Sequence, residues 1–356
     1  MQHRTGLSNG CLQQRPVIWL GQSVNTSSIC ADHSELNQTP FLTSLGCAIR
    51  RPSLKRTHLN SNLKTKLGIR GPLMVDSGGF ALMRNPSSRW SLRDVSDLIR
   101  SIDAEIFVSL DYPPHRRDSR QDRLQKIRLS VNNFRKLSDL FPTKIIMPVV
   151  HGRTRPEIEL SIQLIGRRTQ NPSWVGLGGV VPLLQNRTVS REISRIGAET
   201  FIARSIASIR TAFPDAKIHI FGAGGTRTFP AIFALGADSA DSIGWRQAAG
   251  FGSIFLPLKS QRAVKWNNAG PPPRKPLDKS DLLQLGACQC PICLNSPSVT
   301  ATVSLFASSF HGRSIHNAWI TANQMDYWPG TRAKMKLLIL SGELGPAWAR
   351  AAAIPP

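Results

Sequence analysis

From about residue 70 the chain alternates short β-branched runs with longer amphipathic segments, and this alternation narrows the fold more than any other feature. The runs Leu73–Val75, Ile106–Leu110, Lys144–Val150, Trp174–Leu177, Lys217–Phe221 and Ser239–Ile243 read as strands. The segments Leu92–Ile102, Asp118–Leu140, Pro156–Arg168, Ser190–Ala212 and Phe229–Leu235 read as helices. Strand then helix, repeated, calls for a parallel sheet with right-handed crossovers, because parallel neighbours cannot be joined by a tight hairpin. Thr154 and Glu157 have the spacing of a capping box around Pro156, and Gly236 stands where a helix stop is expected.

A second regularity selects among parallel-sheet architectures. Asp76, Asp111, His151, the Gly178-Gly179 pair, the Gly222–Gly225 turn and Asp241 all fall at or just past the C-terminal end of an expected strand. A (β/α)8 barrel gathers residues from many strands at that face, whereas a doubly wound sheet uses one crevice. The expected fold is therefore α/β, a (β/α)8 TIM-like barrel, and the clustered Cys288, Cys290 and Cys293 past it add a C-terminal zinc-binding subdomain. The strands still needed are sought at Val17–Leu20 and within residues 30–60. The expected layout is an N-terminal segment over 1–70 carrying the first barrel strands, a catalytic barrel over 71–269, a zinc-binding subdomain over 270–330 and a tail or helix over 331–356. The proline-rich run Gly270–Pro276 reads as a stiff connector between barrel and subdomain.

Two acidic residues stand out at these strand ends: Asp76 in Val75-Asp76-Ser77-Gly78-Gly79-Phe80, and Asp241 in Ala237-Asp238-Ser239-Ala240-Asp241. Paired carboxylates so placed suit a double displacement at a sugar carbon, one as nucleophile and the other moving protons. Asp238 competes with Asp241 for the first role, and Asp76 also fits a simple turn or helix-cap residue. The Gly222–Gly225 turn lacks the full spacing of a phosphate-binding glycine loop.

The charge balance points to the partner. Lys and Arg number 45 against 22 Asp and Glu, a formal net charge of +23, which favours a polyanion such as nucleic acid. The basic residues recur along the chain (Arg50, Arg51, Lys55, Arg56, Lys64, Lys66 and Arg70, then Arg116, Arg117, Arg120, Arg123, Lys126 and Arg128), as on a folded basic face rather than a tail. No apolar run approaches the roughly 18–20 residues that cross a bilayer, and the polar first fifteen residues contain no signal-peptide core. A cytoplasmic protein without membrane contact is expected.

Cys11, Cys30 and Cys47 are scattered, but Cys288, Cys290 and Cys293 are clustered, with His311 and His316 following. Three thiolates and one imidazole make a closed tetrahedral set of the kind used by structural zinc, while iron–sulfur clusters usually draw on four thiolates. Spacing leaves both histidines open as the fourth ligand.

Taken in order, these motifs resemble the tRNA-guanine transglycosylase superfamily over about residues 70–325. Its Asp-Ser-Gly-Gly-Phe/Tyr signature is matched by Asp76 to Phe80, and its Gly-x-Asp-x-x-Asp segment by Gly236 to Asp241. Its Cys-x-Cys-x2-Cys followed by Ile-His-Asn is matched by Cys288, Cys290, Cys293 and Ile315-His316-Asn317. The resemblance implies Asp241 as nucleophile, Asp76 as general acid/base, and His316 rather than His311 beside the cysteines on a structural Zn2+. It implies that Asp111 reads the guanine edge, that Gly178 and Gly179 turn their backbone to the base, and that Phe80 and Phe221 sandwich it. Ser77 and Gly222, next to these residues, join the base-binding set.

The departures are as informative. Where the tRNA enzymes have Val-Gln-Gly, this chain has Val150-His151-Gly152, and an imidazole cannot offer the paired donor and acceptor of a carboxamide. The turn Gly178-Gly179-Val180-Val181-Pro182 lacks the family's acidic residue, Gly244-Trp245-Arg246 replaces Pro-Thr-Arg, and the stretch from Asp76 to Asp111 is short. These changes are similar to the DNA-acting branch, the DpdA-type DNA-guanine transglycosylases of 7-deazaguanine DNA modification. The resemblance thus implies exchange of guanine in DNA for 7-cyano-7-deazaguanine without a nucleotide cofactor, with tRNA as the alternative polymer. It also allows an accessory ATPase or helicase-type partner. Two other readings stand beside it. A non-catalytic nucleic-acid binder is disfavoured by retention of both Asp76 and Asp241. An unrelated barrel glycosidase with a zinc appendage is disfavoured by the basic charge, which favours a phosphate-bearing polymer.

Overall fold

The computed structural model describes residues 15–24, 28, 33–46, 62–84, 90–115, 117–169, 171–185, 190–264, 275–327 and 331–354. The principal sheet contains β1 (Val17–Gly21), β2 (Phe41–Ser44), β3 (Leu73–Asp76), β4 (Ile106–Val108), β5 (Ile145–Met147), β6 (Val149–Val150), β7 (Trp174–Leu177), β8 (Lys217–Ile220) and β9 (Ser239–Ser242). Every pairing is parallel, in the order β5-β4-β3-β2-β1-β9-β8-β7-β6. β5 and β6 are halves of one chain segment divided at Pro148, which has no N–H to give a ladder. β5 pairs with β4 and β6 with β7, and the Pro148 carbonyl accepts from Gly176 N at 2.8 Å. The nine ladder segments thus form eight staves, and the sheet closes on itself. Both strands sought in the N-terminal region are present, as β1 and β2.

Closure buries both faces of the sheet, so the strands read as nearly continuous apolar runs. Outward residues such as Ile18, Phe41, Leu73, Val75, Ile218 and Ile220 pack beneath the helices. Inward residues Trp19, Leu42, Met74, Ile106, Val108, Met147, Val149 and Trp174 fill the barrel. Side chains two apart share a face of a strand. Following the inward face toward the C-terminal ends, Leu42 gives way to Ser44 and Met74 to Asp76. The barrel floor is apolar and its mouth polar.

Two local expectations are corrected. The helix expected over Ser190–Ala212 is broken at Gly197 (φ 87°), giving Arg191–Ile196 and Ala198–Ala212. The Thr154–Glu157 capping box does not form: the Thr154 side chain caps nothing. Glu157 instead accepts from Arg153 N at 2.8 Å and from Arg123 Nε at 2.9 Å, since a charge-assisted bond outcompetes a neutral cap. Gly236 does stop its helix, with φ 108°.

Past the barrel, Ser253–Ile254, Arg262–Ala263 and Lys275–Pro276 form a small second sheet. Most of the Gly270–Pro276 connector lies outside the described residues, as do Cys11, Cys30, Cys47, Arg50, Arg51, Lys55, Arg56 and Arg116. Helices Lys279–Gly286, Pro291–Leu294, Val299–Ser308 and Phe310–Ala322 follow, and the last packs along the Gly244–Gly250 helix that leaves β9. Two closing helices, Arg332–Leu340 and Pro346–Ala352, lie against the barrel helices Thr228–Ala234 and Ala198–Ala212. No helix among the described residues is long and apolar enough to cross a membrane.

Candidate active site and metal centre

One half of the barrel mouth is a network built from β3, β4 and β6. Asp76 ends β3, and its Oδ2 accepts from Ser44 Oγ at 2.6 Å and from Gly78 N at 3.3 Å. Ser77, buried, donates toward Ser109 O at 2.9 Å, with Asp111 Oδ1 at 3.2 Å as the second acceptor in reach. Asp111 Oδ2 lies 2.7 Å from His151 Nε2. Gly79 has to be glycine, because a Cβ there would stand 2.1 Å from Asp111 Oδ1. The His151 ring lies against Gly178, where a Cβ would come within 2.3 Å of His151 Cε1. Gly179 (φ 75°) turns the chain into the Val180–Leu184 helix.

The other half comes from β8 and β9. Asp241 Oδ1 accepts from Gly222 N at 2.7 Å and lies 3.3 Å from His219 Nε2. Asp241 Oδ2 has no hydrogen-bond donor among the described residues. His219 Nδ1 is held by Ser239 Oγ at 2.8 Å, and Phe221 packs edge-on to His219 with centroids 4.5 Å apart. Gly176 leaves the space for Phe221, since a Cβ there would lie 2.4 Å from its ring. Gly222 (φ 66°) supplies the backbone turn that aims its N–H at Asp241.

The two halves meet electrostatically. Burial and then the charge of Asp111 push Asp76 up to about 7, against the Ser44 hydrogen bond; the charge of Asp241 pushes the same way. Asp76 and Asp241, 165 positions apart in the chain, therefore stand at the same, C-terminal mouth of the barrel. Asp238 does not: it binds Ile218 N at 2.8 Å, Arg332 at 2.6 Å, and Arg210, at the opposite end of β9. Phe80 is 49% exposed beside the mouth, and it makes no ring contact with Phe221 among the described residues. Two polar neighbours were not anticipated. Ser44 lies in a stretch without a recognisable motif. His219 was visible as a lone histidine in the apolar Lys217-Ile218-His219-Ile220 run, at the same strand parity as Phe221.

Cys288, Cys290, Cys293 and His316 converge, their ligand atoms all within 4.8 Å of one another. His316 Nδ1 stands 3.8, 3.3 and 3.6 Å from the three sulfurs, the separations of ligand atoms around a tetrahedral ion with bonds of about 2.0–2.3 Å. His316 Nε2 donates to Phe255 O at 2.9 Å, which leaves Nδ1 as the coordinating nitrogen. His311 is exposed and turned toward His33. Asn317 accepts from Phe255 N at 2.7 Å and donates to Trp245 O and Ser253 O, each at 3.0 Å, so the ligand helix is bolted to the chain leaving β9. The four residues form a Cys3His group able to hold a metal such as zinc.

Fold and site together define a (β/α)8-barrel protein with two acidic side chains at its mouth and a Cys3His group behind β9. No family model matches the chain. It is similar to the tRNA-guanine(15) transglycosylase of Pyrococcus abyssi, 24% identical over 327 residues, which covers 90% of this chain and 50% of that protein. The enzyme of the same name from Thermococcus kodakarensis is 24% identical over 341 residues, covering 94% and 52%. That from Methanosarcina acetivorans is 26% identical over 264 residues, covering 71% and 46%. The chain is thus similar to tRNA-guanine transglycosylases, and it spans about half the length of the curated relatives it matches.

Proposed function

We propose that this protein is a base-exchange transglycosylase that replaces guanine in DNA with 7-cyano-7-deazaguanine. The observation that carries the reading is the convergence of Asp76 and Asp241 on one polar mouth, with the first carboxyl held near neutrality. A target guanosine is flipped from the stack, and the purine rests between Phe80 and Phe221 with its N1–H and 2-amino edge on Asp111. Ser77 holds Asp111 in place, while the Gly178-Gly179 turn and Gly222 leave room for the base. Asp241 Oδ2 attacks C1′ as the C1′–N9 bond breaks, while Gly222 N–H and His219 steady Oδ1. Asp76 gives its proton to the departing guanine. It then removes the N9 proton of the incoming base, whose nitrogen displaces Asp241 from the same face. Two inversions give net retention. A carboxyl near 7 is suited to both transfers.

Zinc on Cys288, Cys290, Cys293 and His316 would be structural: four protein ligands fill its shell, and it would brace the helix that Asn317 ties to the barrel. The residues divide into a barrel catalytic core, a metal-bearing unit and a closing helical tail. The setting is cytoplasmic, where polymer and free base meet, and an accessory ATPase or helicase-type partner would help expose the target. His151 in place of a carboxamide, and the turn without an acidic residue, favour the DNA reading. The names of the archaeal relatives favour a second one, exchange in tRNA.

The test is incorporation of labelled 7-cyano-7-deazaguanine, or labelled guanine, into each polymer. Incorporation into tRNA alone would replace the DNA reading by the second. Asp241→Ala should lower exchange by at least about 10³-fold while polymer affinity changes no more than about threefold. Undiminished exchange would overturn the assignment of the nucleophile.

A further inference from the structure

We propose that His151 must carry a proton on both ring nitrogens to accept a guanine-type base, so that base capture takes up a proton. The inference rests on the reading above and deepens it. His151 is 1% exposed, and its Nδ1 has no hydrogen-bond partner among the described residues. Its Nε2 is committed to Asp111 Oδ2 at 2.7 Å. An ionised carboxylate can only accept, so Nε2 carries the hydrogen, and in a neutral ring Nδ1 is left as a bare lone pair. His151 lines a small cleft together with Pro114, Gly152, Arg153, Gly178, Gly179 and Pro182.

The hydrogen-bond code of the base decides what Nδ1 must be. Along its edge guanine presents O6, N1–H, the 2-amino group and N3: two donors flanked on each side by an acceptor. The 7-deazaguanines keep this edge. If Asp111 takes the two donors, any group beside Asp111 meets an acceptor, whichever way the base is turned. Neutral His151 would set a buried lone pair against a lone pair, while the imidazolium offers Nδ1–H. Leaving such a buried pair unsatisfied costs about 1–3 kcal/mol, enough for a 5- to 150-fold effect.

The charged surroundings are specific. Asp111 faces the ring from the end of β4, with Asp76 beyond it on β3. Arg153 follows His151 in the same loop and donates to Pro114 O. Behind that loop Glu157 pairs with Arg123, and Asp118 with Lys126. The Val180–Leu184 helix contributes no charge. The charged group in direct contact with the ring is thus the Asp111 carboxyl.

Calorimetric titration of the full chain with 7-cyano-7-deazaguanine, between about pH 6 and 8.5 and in buffers of different ionisation heat, tests this. Affinity should fall as pH rises, by up to about tenfold per pH unit, with uptake approaching one proton per base bound. His151→Gln, whose carboxamide donates without titrating, should bind with that component removed; any dependence contributed by Asp76 would persist in it. Nitrogen NMR of the wild-type imidazole gives an independent readout, with Nδ1 moving to its protonated position on base binding. Base binding with no linked proton and an Nδ1 that stays unprotonated would overturn the inference and leave the exchange reading standing. Absence of any base binding would overturn both.

Discussion

Asp76 shows how one residue can carry both a catalytic assignment and a stability cost. Its carboxyl titrates near 7 in the folded chain, against an ordinary 3.8, so the folded state holds that proton more tightly than the unfolded one. The stability it contributes is complete below about pH 4 and is lost as pH rises through 7. Asp76→Asn should therefore abolish base exchange and yet raise stability above neutrality, by up to about 4 kcal/mol near pH 9. The check is chemical denaturation of both proteins across that range. An equal pH dependence in the two would mean that Asp76 titrates normally. The acidic positions were legible in the sequence because each ends an apolar run, and the motif match favours Asp241 over Asp238, which lies at the opposite end of β9. What was not legible is the company they keep. Ser44 reaches Asp76 across 32 positions, and Gly222 and His219 reach Asp241 from the neighbouring strand; such contacts exist only once the barrel has closed.

At the level of elements, the alternation of strand and helix was readable because β-branched runs and amphipathic segments have distinct periods. β1 and β2 were harder to find, since no long amphipathic helix lies between them, only Ser34–Asn37 among the described residues. Glu157 left its expected cap because Arg123, on the preceding helix, competes for it, which no local pattern encodes. Helix Phe310–Ala322 joins two functions at adjacent positions: His316 faces the cysteines while Asn317 fastens the helix to Trp245, Ser253 and Phe255. Removing one thiolate should therefore loosen this element and leave the barrel intact. Cys290→Ser is expected to lose about one equivalent of bound zinc. Hydrogen-exchange protection should fall across the Lys279–Ala322 helices while β1 to β9 keep theirs. Unchanged metal content, or equal loss of protection in the barrel, would contradict a local structural centre.

Across the whole molecule the charge has a division of labour. Part of the basic excess is neutralised inside the fold: Arg210 and Arg332 on Asp238, Arg123 on Glu157, Lys259 and Arg262 on Asp281. These pairs hold elements together, and the remainder sets the net charge of +23. Arg84 ends the helix that follows β3, and Arg153 lies in the loop that follows β6, at the end of the barrel a polyanion would approach in the proposed reaction. A phosphate backbone bound by such a surface releases counterions, so affinity for DNA or tRNA should fall steeply with salt. With six to ten phosphates neutralised, the loss between about 50 and 200 mM salt is on the order of 10³–10⁵-fold. Affinity for the free 7-deazaguanine of the proposed reaction, which hydrogen bonds and stacking would hold, should change less than about twofold over the same range. Measuring the two dependences side by side separates the surface from the site. A polymer affinity as indifferent to salt as that of the base would show that the positive charge serves solubility rather than recognition.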